Sequence, residues 1–244
     1  MIRSKTRLLQ WKKSLEVLVW FNNIKNKKLY AFMKFDVVDF YPSISKELLT
    51  KSIQFARKYI DVSNDQVEII FHSCKTILFF NNECWIKKNS AHDLFDIPMG
   101  SFHGAEVCEL VGLFILNEII NDKKIEKSNC GLYRDDGLLI VKKRSPRFIE
   151  QLRKSLTKVF QQHNLKVTIE LSTQKVDFLD ITMDLEKDEY LPFRKENAKN
   201  IYMNFNSNHP YPIKKEIPSK VQKRLSSLSK TKEIFDKIKD RFSW

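Results

Sequence analysis

Gly131-Leu132-Tyr133-Arg134-Asp135-Asp136-Gly137-Leu138-Leu139-Ile140-Val141 sets two adjacent carboxylates between short apolar runs, with a glycine directly after them. Apolar run, turn and apolar run over this length predict a tight β-hairpin that carries the paired acids at its tip, with Gly137 marking the turn. Taken alone, the stretch fits a surface Asp-Gly turn as well as it fits a site. A second acid cluster about a hundred residues earlier, at Asp36 and Asp39, gives the hairpin a partner.

Upstream of the hairpin, residues 6 to 27 carry Leu9, Trp11, Leu15, Leu18, Val19 and Phe21 on a broad apolar face and predict a helix. Leu29 to Phe35 is a mostly apolar run that predicts a buried strand, closed by Asp36, with Val37 and Val38 leading out of it. Ser45 predicts the cap of a helix through Leu48, Leu49, Ile53 and Phe55, and Ser63-Asn64-Asp65 opens another that runs toward Phe80. Asn81-Asn82 then predicts a turn into a short strand, Cys84 to Ile86. Pro98-Met99-Gly100-Ser101 precedes a long apolar helix from Gly104 to Ile120, and a further helix is expected from Pro146 to His163. Two strands follow, Lys166 to Leu171 and Val176 to Leu185, and then a helical stretch from Lys220 to Lys239. Strands and helices mix without strict βαβ alternation, which predicts an α+β fold with an antiparallel sheet.

The 244 residues carry a net charge of +13, with 42% apolar and 12% aromatic residues. That is a globular composition, and its charge favours polyanions, nucleic acid ahead of an anionic membrane surface. No apolar run reaches the length of a membrane span, so no membrane partner is expected. Cys74, Cys84, Cys108 and Cys130 form no close pair and no metal-ligand spacing, and each lies among apolar neighbours as a small core residue would. A reducing, intracellular setting fits them. Residues 191–244 hold 13 Lys/Arg against 5 Asp/Glu, interleaved with Phe193, Tyr202, Phe205, Asn206, Asn208, His209 and Tyr211. This mixture suits phosphate contacts and base stacking.

An acid ending a buried strand and paired acids at a hairpin tip can converge in one sheet. Three carboxylates on rigid strands suit hard divalent cations such as magnesium, and two such ions would support phosphoryl transfer. The five histidines, His72, His92, His103, His163 and His209, are dispersed and make no nucleophile–base pair, and the five glycines form no phosphate-cradling loop.

Three motifs in order carry a resemblance: Phe35-Asp36-Val37-Val38-Asp39-Phe40-Tyr41, then Pro98-Met99-Gly100-Ser101-Phe102-His103-Gly104-Ala105, then Tyr133-Arg134-Asp135-Asp136. They resemble the palm motifs of reverse transcriptases. Phe178-Leu179-Asp180-Ile181, preceded by Lys175, resembles the later lysine-containing and primer-grip motifs. Pro192-Phe193-Arg194-Lys195, Ile201-Tyr202 and Asn206-Ser207-Asn208-His209-Pro210 are similar to the thumb-proximal segment of Penelope-like retroelement polymerases.

The resemblance covers residues 30 to 225 and implies a right-hand polymerase palm, an antiparallel sheet packed on helices, followed by a basic thumb-like helical tail. The implied division is an N-terminal helix at 1–28, the palm at 29–190 and the thumb-like segment at 191–244. Implied metal ligands are Asp36, Val37 through its backbone, Asp135 and Asp136, holding two Mg2+ ions, with Mn2+ as a substitute. Asp39, Phe40, Tyr41 and Gly100 would meet the incoming deoxynucleoside triphosphate. Tyr41 would serve as a steric gate against a ribose 2′-hydroxyl, or else as packing on the palm. Gly100 would admit close backbone approach, or else simply start a helix. Lys175 would protonate the leaving pyrophosphate, or else stay solvated. Arg194, Lys195, Tyr202, Asn208 and His209 would contact an RNA or DNA template with its primer.

The implied activity is RNA-directed DNA synthesis from a primer 3′-hydroxyl, with nuclear action implied by the retroelement. Only 35 residues precede Asp36, where such enzymes keep most of their fingers and triphosphate-gripping cations; Arg3, Lys5 and Arg7 are the candidates to replace them. Met99 stands where some families use glutamine, and Gly104-Ala105 where Ser-Pro is usual. The alternative function is a catalytically inactive nucleic-acid-binding remnant of such an element.

Overall fold

A computed structural model describes residues 2–86, 94–123, 125–195, 203 and 206–242. The chain divides into two compact units. The first comprises Met1–Trp11, Met33–Ile140 and Arg144–Glu170, and the second Lys12–Phe32, Val141–Lys143 and Leu171–Trp244.

In chain order the helices are α1 (Ile2–Thr6), α2 (Ser14–Asn23), α3 (Phe40–Ser43), α4 (Lys46–Arg57), α5 (Asn64–Ser73), α6 (Gly104–Lys123), α7 (Pro146–Gln161), α8 (Tyr211–Ser227) and α9 (Lys232–Ile238). The strands are β1 (Leu9–Gln10), β2 (Tyr30–Val38), β3 (Leu78–Phe80), β4 (Glu83–Trp85), β5 (Cys130–Tyr133), β6 (Asp136–Lys142), β7 (Lys166–Ser172), β8 (Lys175–Phe178), β9 (Ile181–Asp184) and β10 (Glu189–Pro192). Five strands form one sheet in the order β1-β5-β6-β2-β7. β5 and β6 are antiparallel, whereas β1 joins β5 in parallel at the edge, so the α+β fold expected from the sequence has a mixed sheet.

In the first unit, α6 is apolar around most of its circumference, burying Val107, Cys108, Val111, Leu113, Ile115, Leu116 and Ile119. It packs against α4, α7 and β5, as a helix without a polar face must. α7 is two-faced: Ile149, Leu156, Val159 and Phe160 are buried, while Glu150 and Arg153 pair on the outside at 2.7 Å. The Phe160 ring meets Phe35 of β2 at 5.4 Å between centroids. Helix starts follow local chemistry. Ser45 and Ser145 accept from the backbone amides of Leu48 and Phe148, and Ser63 and Gln66 form a reciprocal capping box.

In the second unit, Phe21 stacks on Phe32 and meets Tyr190 edge-on, both at 6.3 Å. Lys27 is buried beside them, donating to the Ile24 carbonyl at 3.0 Å and pairing with Asp188 at 3.0 Å. The β9–β10 turn that carries Asp188 also pairs with Lys230 at 3.0 Å. Arg224 of α8 donates twice to Asp180 in the β8–β9 turn, at 2.6 and 3.2 Å.

Several expectations are corrected, mostly because long-range pairing overrides local pattern. The single helix over 6 to 27 is instead α1, β1 and α2: Trp11 donates its amide to Leu132 at 2.7 Å, and its ring fills the space a side chain at Gly131 would need. β2 does not close at Asp36 but runs on to Val38, because β6 and β7 flank it. The helix toward Phe80 stops at Ser73. There Thr76 donates to Leu94 at 2.9 Å and Asp96 to Cys74 at 2.8 Å, which takes the backbone out of the helix.

Val176 to Leu185 is a hairpin, β8–β9, bent at Leu179 with φ 55°. Lys220 to Lys239 is two helices, with Thr231 capping the second. Cys84 is exposed on β4, whereas the other three cysteines are buried. Among the described residues no helix is long and apolar enough to cross a membrane.

Candidate active site

The hairpin foreseen at 131–141 forms, with a different tip. Tyr133 pairs with Asp136, so the two turn residues are Arg134, at φ 54°, and Asp135. Asp136 opens β6, and Gly137 lies within the strand rather than in the turn. Glycine is required there by close approach: a Cβ would fall 1.9 Å from Cζ of Phe35. That contact also fixes which way the acids face. Phe35 and Gly137 meet on the side covered by α7, so Asp36 and Asp136, one residue along each strand, project from the opposite side of the sheet.

β2 and the tip are joined directly, the Val37 amide donating to the Asp135 carbonyl at 3.2 Å. The partly buried Asp36 carboxyl is held above the usual carboxylate range, first by burial and then by the negative charges of Asp135 and Glu170, with Lys34 opposing. Thr168 of β7 donates to the Asp36 carbonyl at 3.4 Å, fixing the backbone from the other side.

The strand exit turns sharply at Asp39, exposed and left-handed at φ 49°, into α3. Phe40 is only 4% exposed, backbone included, so the residue is part of the core and offers little surface to a ligand. Tyr41 is 9% exposed and hydrogen-bonds Cys108 of α6. Its hydroxyl is held above its ordinary value by burial first, and by Cys108 and Asp135, while the Arg134 guanidinium opposes. Burial pushes the Cys108 thiol up to about 12. Gly100 has φ 91° with no atom within 4 Å of a Cβ, so conformation is what calls for glycine in this turn, where Ser101 donates to Pro98 at 3.0 Å.

Thus Asp36, Val37, Asp39, Phe40, Tyr41, Asp135 and Asp136 gather at one end of the sheet in the first unit, and Gly100 belongs to the same unit. Lys175, Arg194, Lys195, Asn208 and His209 belong to the second. Lys175 is exposed at the start of β8 and pairs with Asp184 at 3.7 Å. Arg194 and Lys195 follow β10, Asn208 and His209 are exposed before α8, and Tyr202 lies outside the described residues. Arg134, Gly137 and Cys108 are the residues sequence reasoning passed over. Nothing local marked either Gly137, which stands at the head of a continuous apolar run, or Cys108.

Among the described residues, no three His, Cys, Asp or Glu side chains are grouped so as to hold a metal ion. Of the acids acting on Asp36, Asp135 has the larger effect and Glu170 of β7 the smaller. The pair of Asp36 and Asp135 suits magnesium, which commonly takes one or two carboxylates and completes its shell with water and substrate phosphates.

No family model matches the chain, and no curated protein matches it. Solved structures do. Apo telomerase from Candida tropicalis, truncated from its C-terminal domain, superposes with a TM-score of 0.56 at 13% identity, covering 75% of this chain and 41% of that one. Telomerase from Candida albicans in complex with a fragment of telomeric RNA gives 0.56 at 11% identity, covering 91% and 39%. The RNA-dependent RNA polymerase of a human picobirnavirus gives 0.51 at 12%, covering 70% and 32%. The chain therefore spans less than half of each of these structures, and what it shares with them is a polymerase palm-like fold.

Proposed function

We propose that this chain is the palm of an RNA-directed DNA polymerase of a Penelope-like retroelement, extending a primer 3′-hydroxyl with deoxynucleoside triphosphates. The observation that carries the reading is the Val37–Asp135 backbone bond, which ties the hairpin tip, with Asp135 in its turn, to β2 beside Asp36. Two like charges held together, one of them partly desolvated, bind a divalent cation to relieve their repulsion. Asp36, Asp135 and the Val37 carbonyl would hold magnesium, with Asp136 adding charge on the same face. Bound there, the ion would neutralise charge developing on the phosphoryl group.

The remaining work is positioning. The left-handed turn at Asp39 aims the first turn of α3 toward the same end of the sheet, where Tyr41 would bound the sugar of the incoming nucleotide. A bulky ring there favours deoxyribose, the basis for preferring DNA synthesis over RNA synthesis. Basic residues of the second unit, Arg194 and Lys195 among them, would hold template and primer through phosphates.

Primer extension tests the reading. The protein with Mg2+ or Mn2+ should extend a DNA primer on an RNA template with dNTPs, and Asp135→Asn should abolish extension while leaving the circular dichroism spectrum unchanged. Incorporation of NTPs in place of dNTPs would make it an RNA polymerase. Template binding without extension, indifferent to Asp135→Asn, would leave only the binding remnant.

A further inference from the structure

We infer that Arg134, at the tip of the β5–β6 hairpin, binds the triphosphate of the incoming nucleotide, so that the hairpin supplies both the acids and a cation of one site. The inference rests on the polymerase reading and extends it to a residue that reading does not use.

Arg134 occupies the first of the two turn positions with φ 54°. A left-handed backbone costs a side-chain-bearing residue about 1–2 kcal/mol, and glycine or asparagine would fill the position with less strain. The turn itself gives no reason for an arginine. Its side chain is exposed, and among the described residues it makes no ion pair, although its chain neighbour is Asp135. What orients it is the Tyr133 ring, whose centroid lies 5.7 Å from Cζ. A ring beside it helps pre-order a guanidinium and leaves its donor edge open to an anion that can accept two hydrogen bonds.

The hairpin tip lies against the nucleotide side of the site. The Arg134 carbonyl sits 3.3 Å from where a Cβ on Gly112 of α6 would be, one helical turn from Cys108, the partner of the Tyr41 hydroxyl. The guanidinium's opposition to the upward shifts of the Tyr41 hydroxyl and the Cys108 thiol agrees with that placement. An anion placed between the carboxylates and Tyr41 would meet the guanidinium. Phosphate is the anion that matches its fork of donors, and it can come from the incoming triphosphate or from the primer strand. The reach toward Tyr41, the proposed neighbour of the nucleotide sugar, favours the triphosphate.

Single-nucleotide extension and calorimetric titration with dTTP and Mg2+ on Arg134→Ala, Arg134→Lys and Arg134→Gly separate these cases. Arg134→Ala should raise KM for dTTP by about tenfold or more, the loss of roughly one charge-assisted contact, with primer–template affinity held within about twofold. Arg134→Lys should recover part of the loss. Arg134→Gly should lose nucleotide affinity as Arg134→Ala does while keeping or raising Tm, since glycine suits the turn, and this tells a lost ligand contact from a damaged fold. Unchanged KM for dTTP overturns the inference, as does weakened primer–template binding with unchanged KM, which would make the phosphate the primer's. If the unaltered protein extends no primer, the polymerase reading fails by itself. The titration then still decides the inference, which falls if the unaltered protein binds dTTP no more tightly than Arg134→Ala.

Discussion

The first unit contains two tight hairpins of similar size and opposite circumstance. β3 and β4 turn through Asn81 and Asn82, both left-handed, at φ 51° and 61°. Among the described residues they pair with each other alone, and all six of their residues are exposed, Phe79 at 76%. β5 and β6 turn through Arg134 and Asp135, only the first of which is left-handed, and lie between β1 and β2. Cys130, Gly131, Leu132 and Gly137 through Val141 are buried. The exposed hairpin has the more relaxed turn; the buried one has the neighbours. A two-stranded ribbon alone is marginal in water. It is therefore the β2 backbone, the Trp11 ring and the Phe35 ring, and not the turn, that place Asp135 beside Asp36.

The strongest way to break this contrast is at Gly137. Gly137→Ala drives a methyl into the Phe35 ring and should cost about 1–3 kcal/mol, lowering Tm by roughly 2–4 °C per kcal/mol. Because the displaced ring sits one residue from Asp36, primer extension should fall by on the order of a hundredfold. A Gly137→Ala protein with native Tm and activity would show that the hairpin is held by its turn after all. Hydrogen exchange sharpens the same point: the Val37 and Leu138 amides should exchange only on large-scale opening, at least about a hundredfold slower than those of Phe79 and Cys84.

The two hairpins also differ in what they lie against: the buried one meets β2 beside a carboxyl, Asp36, and the exposed one pairs two short strands through a turn of amides. The Asp36 carboxyl is raised in the folded chain, so the native state holds that proton more firmly than the unfolded state does. Its contribution to stability is full below the unfolded carboxylate range and is lost as pH rises through the folded value. Asp36→Asn should accordingly raise Tm at pH 7, by on the order of a degree or two, and the gain should vanish only below the unfolded carboxylate range. Mg2+ should raise Tm of the unaltered protein at pH 7 and leave Asp36→Asn unmoved. The smallest effect belongs to the exposed hairpin: Phe79→Ser should change stability by less than about 0.5 kcal/mol, since the ring is already in water. A larger loss by chemical denaturation would mean that β3–β4 is covered in solution.

What was legible in the sequence was local. Ser45 and Ser63 cap helices by hydrogen bonds three residues long, and Asn81-Asn82 supplies its own left-handed turn, so a short window sufficed. The acids at Asp36 and Asp135 stood out because a charge beside an apolar strand needs a reason. The misread boundaries depend on partners far along the chain. β2 extends past Asp36 because β6 and β7 flank it and the hairpin tip bonds Val37, and β1 is an addition to β5. Gly137 looked like a turn residue because nothing nearby reveals the ring of Phe35 against it. Leu179 bends β8–β9 without the glycine or asparagine that would have announced a turn.

The pairing of β2 with strands made much later has a consequence for synthesis. Asp36 and Asp135 are separated by about a hundred residues, and at roughly 5–20 residues per second the second acid follows the first by roughly 5–20 s. For that interval β2, with Phe32, Met33 and Phe35, is an apolar strand whose sheet neighbours β6 and β7 have yet to emerge. The nascent chain carries this apolar strand unpaired until the hairpin arrives, and the strand pairing that completes the acid site is also what ends that exposure.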